Sequence, residues 1–384
     1  MSNAPKAEAA PQAQGGILPV QAIRALIADG AVQLASPPFA NQLQPASLDL
    51  RLKDVAYRVR ASFLPGPGST IASKLGDKDI TLHAFSLTPG AVLETGCVYI
   101  VPLQETLALP AAISAACNPK SSTGRLDIFT RVIADETARF DEIPAGYRGP
   151  LFLEVSPQSF PVRVHAGTSL SQLRLMAGAT TLSDTALERL YRETPLLFDD
   201  DDQPIPMSRR VINDGLCMGV DLSGRQTGGI ICYRAHPNPP VVDLSRVGHY
   251  DPQDFWEPIK RPSRDSYILE ANRFYILASK ERIRVPPDYA AEMVVYDAGA
   301  GEIRTHYAGF FDPGFGFGAG DVLGTKVVME VRAREVPFMV YDGQTSFKVG
   351  LERLAAPPDR VYGVGLGSSY QHQTLTLSKH FRRG

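Results

Sequence analysis

A mainly β fold arranged as two tandem units, with a few short helices, is what this 384-residue sequence predicts. Three observations point there. Short apolar or alternating runs at residues 47–52, 98–103, 151–155 and 162–165 are punctuated by Gly, Pro and Asp, as strands and turns are. Gly (33) and Pro (31) together make about one residue in six, above the average share of about 12%. Several of these runs also recur at one fixed spacing along the chain.

Taken in order, residues 1–16 are rich in Ala, Pro and Gln and lack the basic start and apolar centre of a signal peptide. They read as a disordered tail. The first folded element is a helix beginning near Pro19: Val20, Ile23, Leu26 and Ile27 share one face, Pro19 suits its start and Gly30 its end. Helical periodicity returns only around residues 183–193. Tyr99, Glu105 and Pro110 recur at Tyr275, Glu281 and Pro286, and Glu154, Pro161 and Gly167 recur at Glu330, Pro337 and Gly343, in every case 176 positions on. Residues 47–50 match 219–222 at an offset of 172. A constant offset across strand-like segments marks two copies of one β-rich unit. The acidic, proline-bearing stretch 199–206 suits a linker, so the expected domains are residues 17–198 and 207–384.

Lys and Arg (39) nearly balance Asp and Glu (41), for a net charge of −2. That balance excludes a general nucleic-acid or anionic-membrane coat and leaves room for a local basic pocket. Cys97, Cys117, Cys217 and Cys232 form no CxxC pair, which excludes a disulfide scaffold and a Cys-rich zinc site and fits a reducing compartment. No run approaches the ~18 apolar residues of a membrane span. The expectation is a soluble cytoplasmic protein with neither nucleic acid nor membrane as partner.

The densest chemistry lies in residues 118–154. Lys120, Ser121, Ser122, Gly124 and Arg125 set two hydroxyls and two cations beside a glycine, a group able to hold a phosphate. A Ser-Ser turn with surface cations is the plainer reading of the same residues, and the order of a Walker loop is absent. Glu154 stands in the apolar run Leu151, Phe152, Leu153, Val155. A buried glutamate there would be a candidate general base, whereas on a solvated strand face it would be ordinary.

With these residues on the page, the sequence resembles the dCTP deaminases of the dUTPase-like superfamily, in their long, internally duplicated bacterial form. Four stretches carry the resemblance: QPASLDLRL at 44–52, SSTGRL at 121–126, Arg139–Asp141 through Gly146–Gly149 to Leu153 and Glu154, and YQHQ at 370–373 followed by Leu377, Ser378 and Lys379. The fold that this resemblance implies is two tandem dUTPase-like distorted β-barrels with a few short helices, the first holding the catalytic motifs and the second ending in a lid. The implied reaction adds water at C4 of cytosine and expels ammonia, converting dCTP to dUTP. Glu154 would move the protons, with Ser121 and Arg125 positioning water and stabilising charge. Lys120 and Ser122 would hold phosphates. Ala138, Arg139, Asp141 and Gln172 would serve the nucleotide, and Tyr147 would help exclude ribose. Tyr370, Gln371, Gln373 and Lys379 would close over the triphosphate and its Mg2+. Relatives place their sites between the chains of a trimer, so a homo-oligomer is expected.

The pattern also departs from that family. Arg131 stands where relatives have His, and Glu142–Ile143 interrupts the Asp-Pro-Gly of the motif. In the second copy the 176 offset puts Tyr296, Asp297, Ala298 and Gly301 at the places of Lys120, Ser121, Ser122 and Arg125. Glu330 remains there and, lacking a cradle, reads as structural. The second copy is expected to be a scaffold. No histidine begins an HxE motif and no CxxC exists, so the pattern predicts no zinc site. Two other functions fit the same motifs: a dUTPase or bifunctional enzyme releasing dUMP, and a nucleotide-binding regulator without catalysis.

Overall fold

The computed structural model describes residues 15–207, 212–294, 303–305, 309–333, 335–363 and 370–383. In the first half, Val98–Ala108 lies between Val55–Val59 and Arg148–Pro157 in a six-stranded sheet, with Ile128–Ala134 beyond. A five-stranded sheet seats Ser169–Ala177 against Ile113–Pro119 on one side and Leu48–Arg51 on the other. The second half repeats both arrangements. Phe274–Ile283 lies between Ile230–Ala235 and Thr325–Ala333, and Thr345–Arg353 lies between Leu216–Gly219 and Tyr289–Val294. All these pairings are antiparallel, as the alternating sequence runs require. Strands starting 176 positions apart hold the same place in their sheets, Val98–Ala108 with Phe274–Ile283 and Ile113–Pro119 with Tyr289–Val294.

The two expected helices form at Val20–Ala28 and Asp184–Glu193, the second capped by Ser183, whose hydroxyl accepts from the Ala186 amide. Gly30 takes a φ of 75° just past the first, a conformation that favours glycine. The second helix moves a boundary. Its Leu187 and Tyr191 are buried in the second core with Leu277, Met329 and Val349, so the second half begins before the acidic stretch. That stretch is pinned rather than free: Asp200 pairs at 2.8 Å with fully buried Lys326, and Asp202 and Asp201 pair with Arg282 and Arg225. A buried ammonium needs such counter-charges. At the N-terminus, Gly16–Ile17 already pairs with Met176 and Ala177, and residues 1–14 lie outside the described ones.

What joins the halves is an aromatic seam. Trp256, the sole tryptophan of the sequence, is 1% exposed and packs on Phe160 of the first half and on Phe274 and Phe381, with ring centroids 5.0–6.0 Å apart. Burying each such ring contributes about 1.5–3 kcal/mol. Beside it, Val162 and Arg163 pair in parallel with Val242 and Asp243. Phe381 brings the chain's last described residues back onto the first core.

Candidate active site

Where the two halves meet lies a cavity of about 330 Å3 lined by both. The first half supplies its basic wall. Strand Ile113–Pro119 runs into a single helical turn, Ser121–Gly124, whose preceding Lys120 donates its amide to Leu170 at 3.0 Å. Lys120, Ser121, Ser122 and Arg125 all reach the cavity, with Gln172 and Asp49 from the neighbouring strands. The Lys120 ammonium pairs with buried Asp49. Burial and the nearby Lys120 hold the Lys379 ammonium below its ordinary pKa.

Arg125 is the most constrained of these side chains. It is 2% exposed, donates Nη1 to the Thr376 carbonyl at 2.8 Å and Nη2 to Gln373 Oε1 at 2.7 Å, and stacks 3.9 Å from the Tyr370 ring centre. Its Nε makes no hydrogen bond and faces Glu330 Oε1 across 3.9 Å. That distance is too long for a hydrogen bond and suits a bridging atom.

Glu330 comes from strand Thr325–Ala333 of the second half, opposite Ile276. Burial pushes its carboxyl from 4.5 up to about 8, partly offset by Arg125 and reinforced by Asp127. Phe310, Phe311 and Phe315 line the same cavity with Asp312. Asp312 is raised to about 6, chiefly by burial, with Arg174 opposing. An acid that changes protonation near neutral pH, a fixed guanidinium, two ammonium groups and aromatic walls can bind a polyanion with a planar head and pass a proton at that head.

The residues expected from the sequence therefore divide. Lys120, Ser121, Ser122, Arg125, Gln172, Tyr370, Gln373 and Lys379 come together in the cavity. Glu154, expected to move the protons, does not join them in this cavity. It lies 1% exposed opposite Ile100 and Arg131 in its own sheet, and Arg131 donates Nε and Nη2 to its Oε1 at 3.0 and 2.7 Å. Phe140 covers that guanidinium at 3.5 Å. Glu330, expected to be structural, is the glutamate in the cavity.

Ala138, Arg139, Asp141 and Tyr147 also lie outside its lining. Arg139 is exposed and pairs with Glu142 at 2.7 Å. Asp141 accepts from the Val132 amide at 2.7 Å, and loss of hydration raises it to about 7. Tyr147 donates to the Pro150 carbonyl at 2.7 Å and so ties a corner. Gln371 is buried against the backbone of Gly314 and Gly316, bracing the loop behind the cavity. Sequence reasoning read Glu330 as structural and missed Asp312. The signal was present: Asp312-Pro313-Gly314 followed by Phe315 is the uninterrupted Asp-Pro-Gly that the first half lacks. Tyr296, Asp297, Ala298 and Gly301 lie outside the described residues.

Comparison with known proteins supplies the family. Residues 14–179 match the family model for the 2'-deoxycytidine 5'-triphosphate deaminase (DCD) N-terminal domain, and residues 183–381 match that for the C-terminal domain. The crystal structure of 2'-deoxycytidine 5'-triphosphate deaminase from Agrobacterium tumefaciens superposes with a TM-score of 0.82 at 47% identity, covering 88% of this chain and 99% of that one. Among curated relatives, the "dCTP deaminase, dUMP-forming" of Parafrankia sp. (strain EAN1pec) is 34% identical over 160 residues, 41% of this chain and 74% of its own. That of Thermobifida fusca (strain YX) is 31% identical over 161 residues, 39% and 72% of the two chains. Two family models that together span most of the sequence, on a fold with the same partition, lead to one conclusion: the chain belongs to the 2'-deoxycytidine 5'-triphosphate deaminase family.

Proposed function

We propose that this protein deaminates dCTP hydrolytically at one composite site per chain, with the phosphate cradle from the first half and the proton-handling carboxylate, Glu330, from the second. The observation that carries the reading is the Arg125–Glu330 pair, 3.9 Å apart, with no hydrogen bond on the arginine's Nε. Lys120, Ser122 and Lys379 bind the triphosphate, whose Mg2+ enters with it as part of the substrate. Phe310 and Phe315 flank the base. Ionised Glu330 takes a proton from the attacking water as oxygen bonds to C4, and returns it to the amino nitrogen as the C4–N bond breaks and ammonia leaves. Arg125 stabilises the charge that develops, fixed in place by the strap around it. A glutamate held near neutral pKa does this work without an added metal-bound water.

A second outcome, dUMP in place of dUTP, is favoured by the "dUMP-forming" names of the relatives and by Asp312, a second buried acid in the cavity. The same resemblance supports two duplicated dUTPase-like barrels and a cytoplasmic homo-oligomer, a trimer first among the candidates. The test is a product assay with dCTP and Mg2+, resolving dUTP, dUMP and ammonia, with Glu330→Gln and Glu154→Gln in parallel. Ammonia lost in Glu330→Gln and kept in Glu154→Gln supports the composite site. The reverse result returns the chemistry to Glu154, and tight dCTP binding without ammonia in the wild type leaves a nucleotide-binding regulator.

A further inference from the structure

A second ion pair crosses the halves beside the first, with its charges reversed. Asp127 follows Arg125 by two positions, and Arg332 follows Glu330 by two on one face of strand Thr325–Ala333. Arg332 Nη2 pairs with Asp127 Oδ2, and the same carboxylate oxygen accepts from Ser159 Oγ at 2.6 Å. Asp127 is 1% exposed and takes a φ of 53°, a left-handed conformation in which a residue other than Gly is uncommon. Its backbone is tied at both ends, the amide to Gly124 at 2.8 Å and the carbonyl to the Gln158 amide at 2.9 Å. A side chain kept in a strained, buried place is kept for what it binds.

We propose that Asp127 and Arg332 form a positioning pair that sets the register of the Arg125 cradle against the Glu330 strand. The inference rests on the reading of Arg125 and Glu330 given above. Its logic is exclusion: a slip of two residues along the strand in one direction would set Arg125 against Arg332, and in the other Asp127 against Glu330, like charge against like in a buried seam. Buried ion pairs add little net stability but discriminate strongly between alternative alignments. Neither residue lines the cavity, so the pair acts through the two that do.

Asp127→Gly removes the carboxylate while suiting the backbone, and Arg332→Gln removes the other partner. In steady-state assays of dCTP deamination, each is expected to lower kcat about tenfold, since small misplacements of reacting groups are costly. Arg332→Lys should recover most of that loss, and the Asp127→Gly/Arg332→Gln double variant should lose no more than either single one. To separate misplacement from misfolding, dCTP binding is measured by calorimetry in the Glu330→Gln background, with and without Asp127→Gly. Unchanged stoichiometry, with affinity within about threefold, is expected; a drop in stoichiometry matching the lost kcat would reduce the pair to a fold prop and overturn the inference. Wild-type kcat in both single variants would overturn it as well. An active Glu330→Gln enzyme would instead sink the catalytic reading, so the two failures are told apart.

Discussion

Glu154 and Glu330 occupy equivalent strand positions, opposite Ile100 and Ile276, with apolar neighbours on either side. Their surroundings differ in one respect. Glu154 is answered inside its own sheet by Arg131, which closes on Oε1 with two donors under the Phe140 ring. Glu330 faces an arginine of the other half across 3.9 Å, and that arginine's remaining donors are committed to the strap at 373–376. Arg131 holds one oxygen of Glu154 and leaves Oε2 buried without a hydrogen-bond partner, so the contrast lies in the partner and the pKa: Glu330 faces a cation of the other half and is raised to about 8.

The largest effect that could break this comparison is on turnover. Glu330→Gln should lower the rate of ammonia release by about 10^2–10^4-fold, the usual worth of a positioned acid–base group. Glu154→Gln should stay within about threefold of wild type, because Glu154 lies outside the cavity lining. Equal losses would mean that the two sites are not different in kind.

Next comes stability. Arg131→Gln leaves Glu154 buried and unpaired, so it should destabilise the protein by about 3 kcal/mol in urea titrations. Adding Glu154→Gln should restore most of that loss. A neutral Arg131→Gln would show that the pair does not lock the first-half carboxylate.

The pH dependence sharpens the contrast. Glu330 is raised from 4.5 to about 8, so kcat/KM should climb with pH through an apparent pKa near that value as the accepting carboxylate forms. Stability runs the other way. The folded state prefers protonated Glu330, so its contribution is whole below about 4.5 and is lost as pH rises through about 8. The melting temperature of Glu330→Gln should therefore gain on wild type between pH 5 and pH 9. A constant difference would place the ionised form at no disadvantage in the fold. The smallest effect concerns the rings over the two arginines. Tyr370→Leu should cost about fivefold in kcat/KM, in line with about 1 kcal/mol for such stacking, and Phe140→Leu should leave activity unchanged.

Much of this was legible in the sequence. The helix after Pro19 has its apolar stripe and its terminal glycine, Ser183 is a plain cap, and the spacing of 176 aligned the sheets of both halves. The cradle from Lys120 to Arg125 was legible only through the family resemblance, since the residues alone read more plainly as a Ser-Ser turn with surface cations. The choice of glutamate was not. Leu153–Glu154–Val155 and Met329–Glu330–Val331 read alike, and what separates them, Arg131 against Arg125, is set by packing between halves. A fixed offset also hides a division of labour: it sought the cradle in the second half and found none, while the Asp312-Pro313-Gly314 run showed where the complementary wall stood. The acidic stretch misled for a similar reason, since its counter-charges, Lys326 and Arg282, lie far along the chain.

The strap that holds Arg125 has a consequence for biosynthesis. Thr376 lies 251 positions after the arginine it binds. The first half leaves the ribosome before the second is translated, at about 5–20 residues per second. Its cradle then waits on the order of 10–50 s for the acceptors that fix the guanidinium. Until the ribosome has made residues 370–381, the first core lacks Leu375 and Phe381, and the Arg125 guanidinium lacks the two oxygens that fix it.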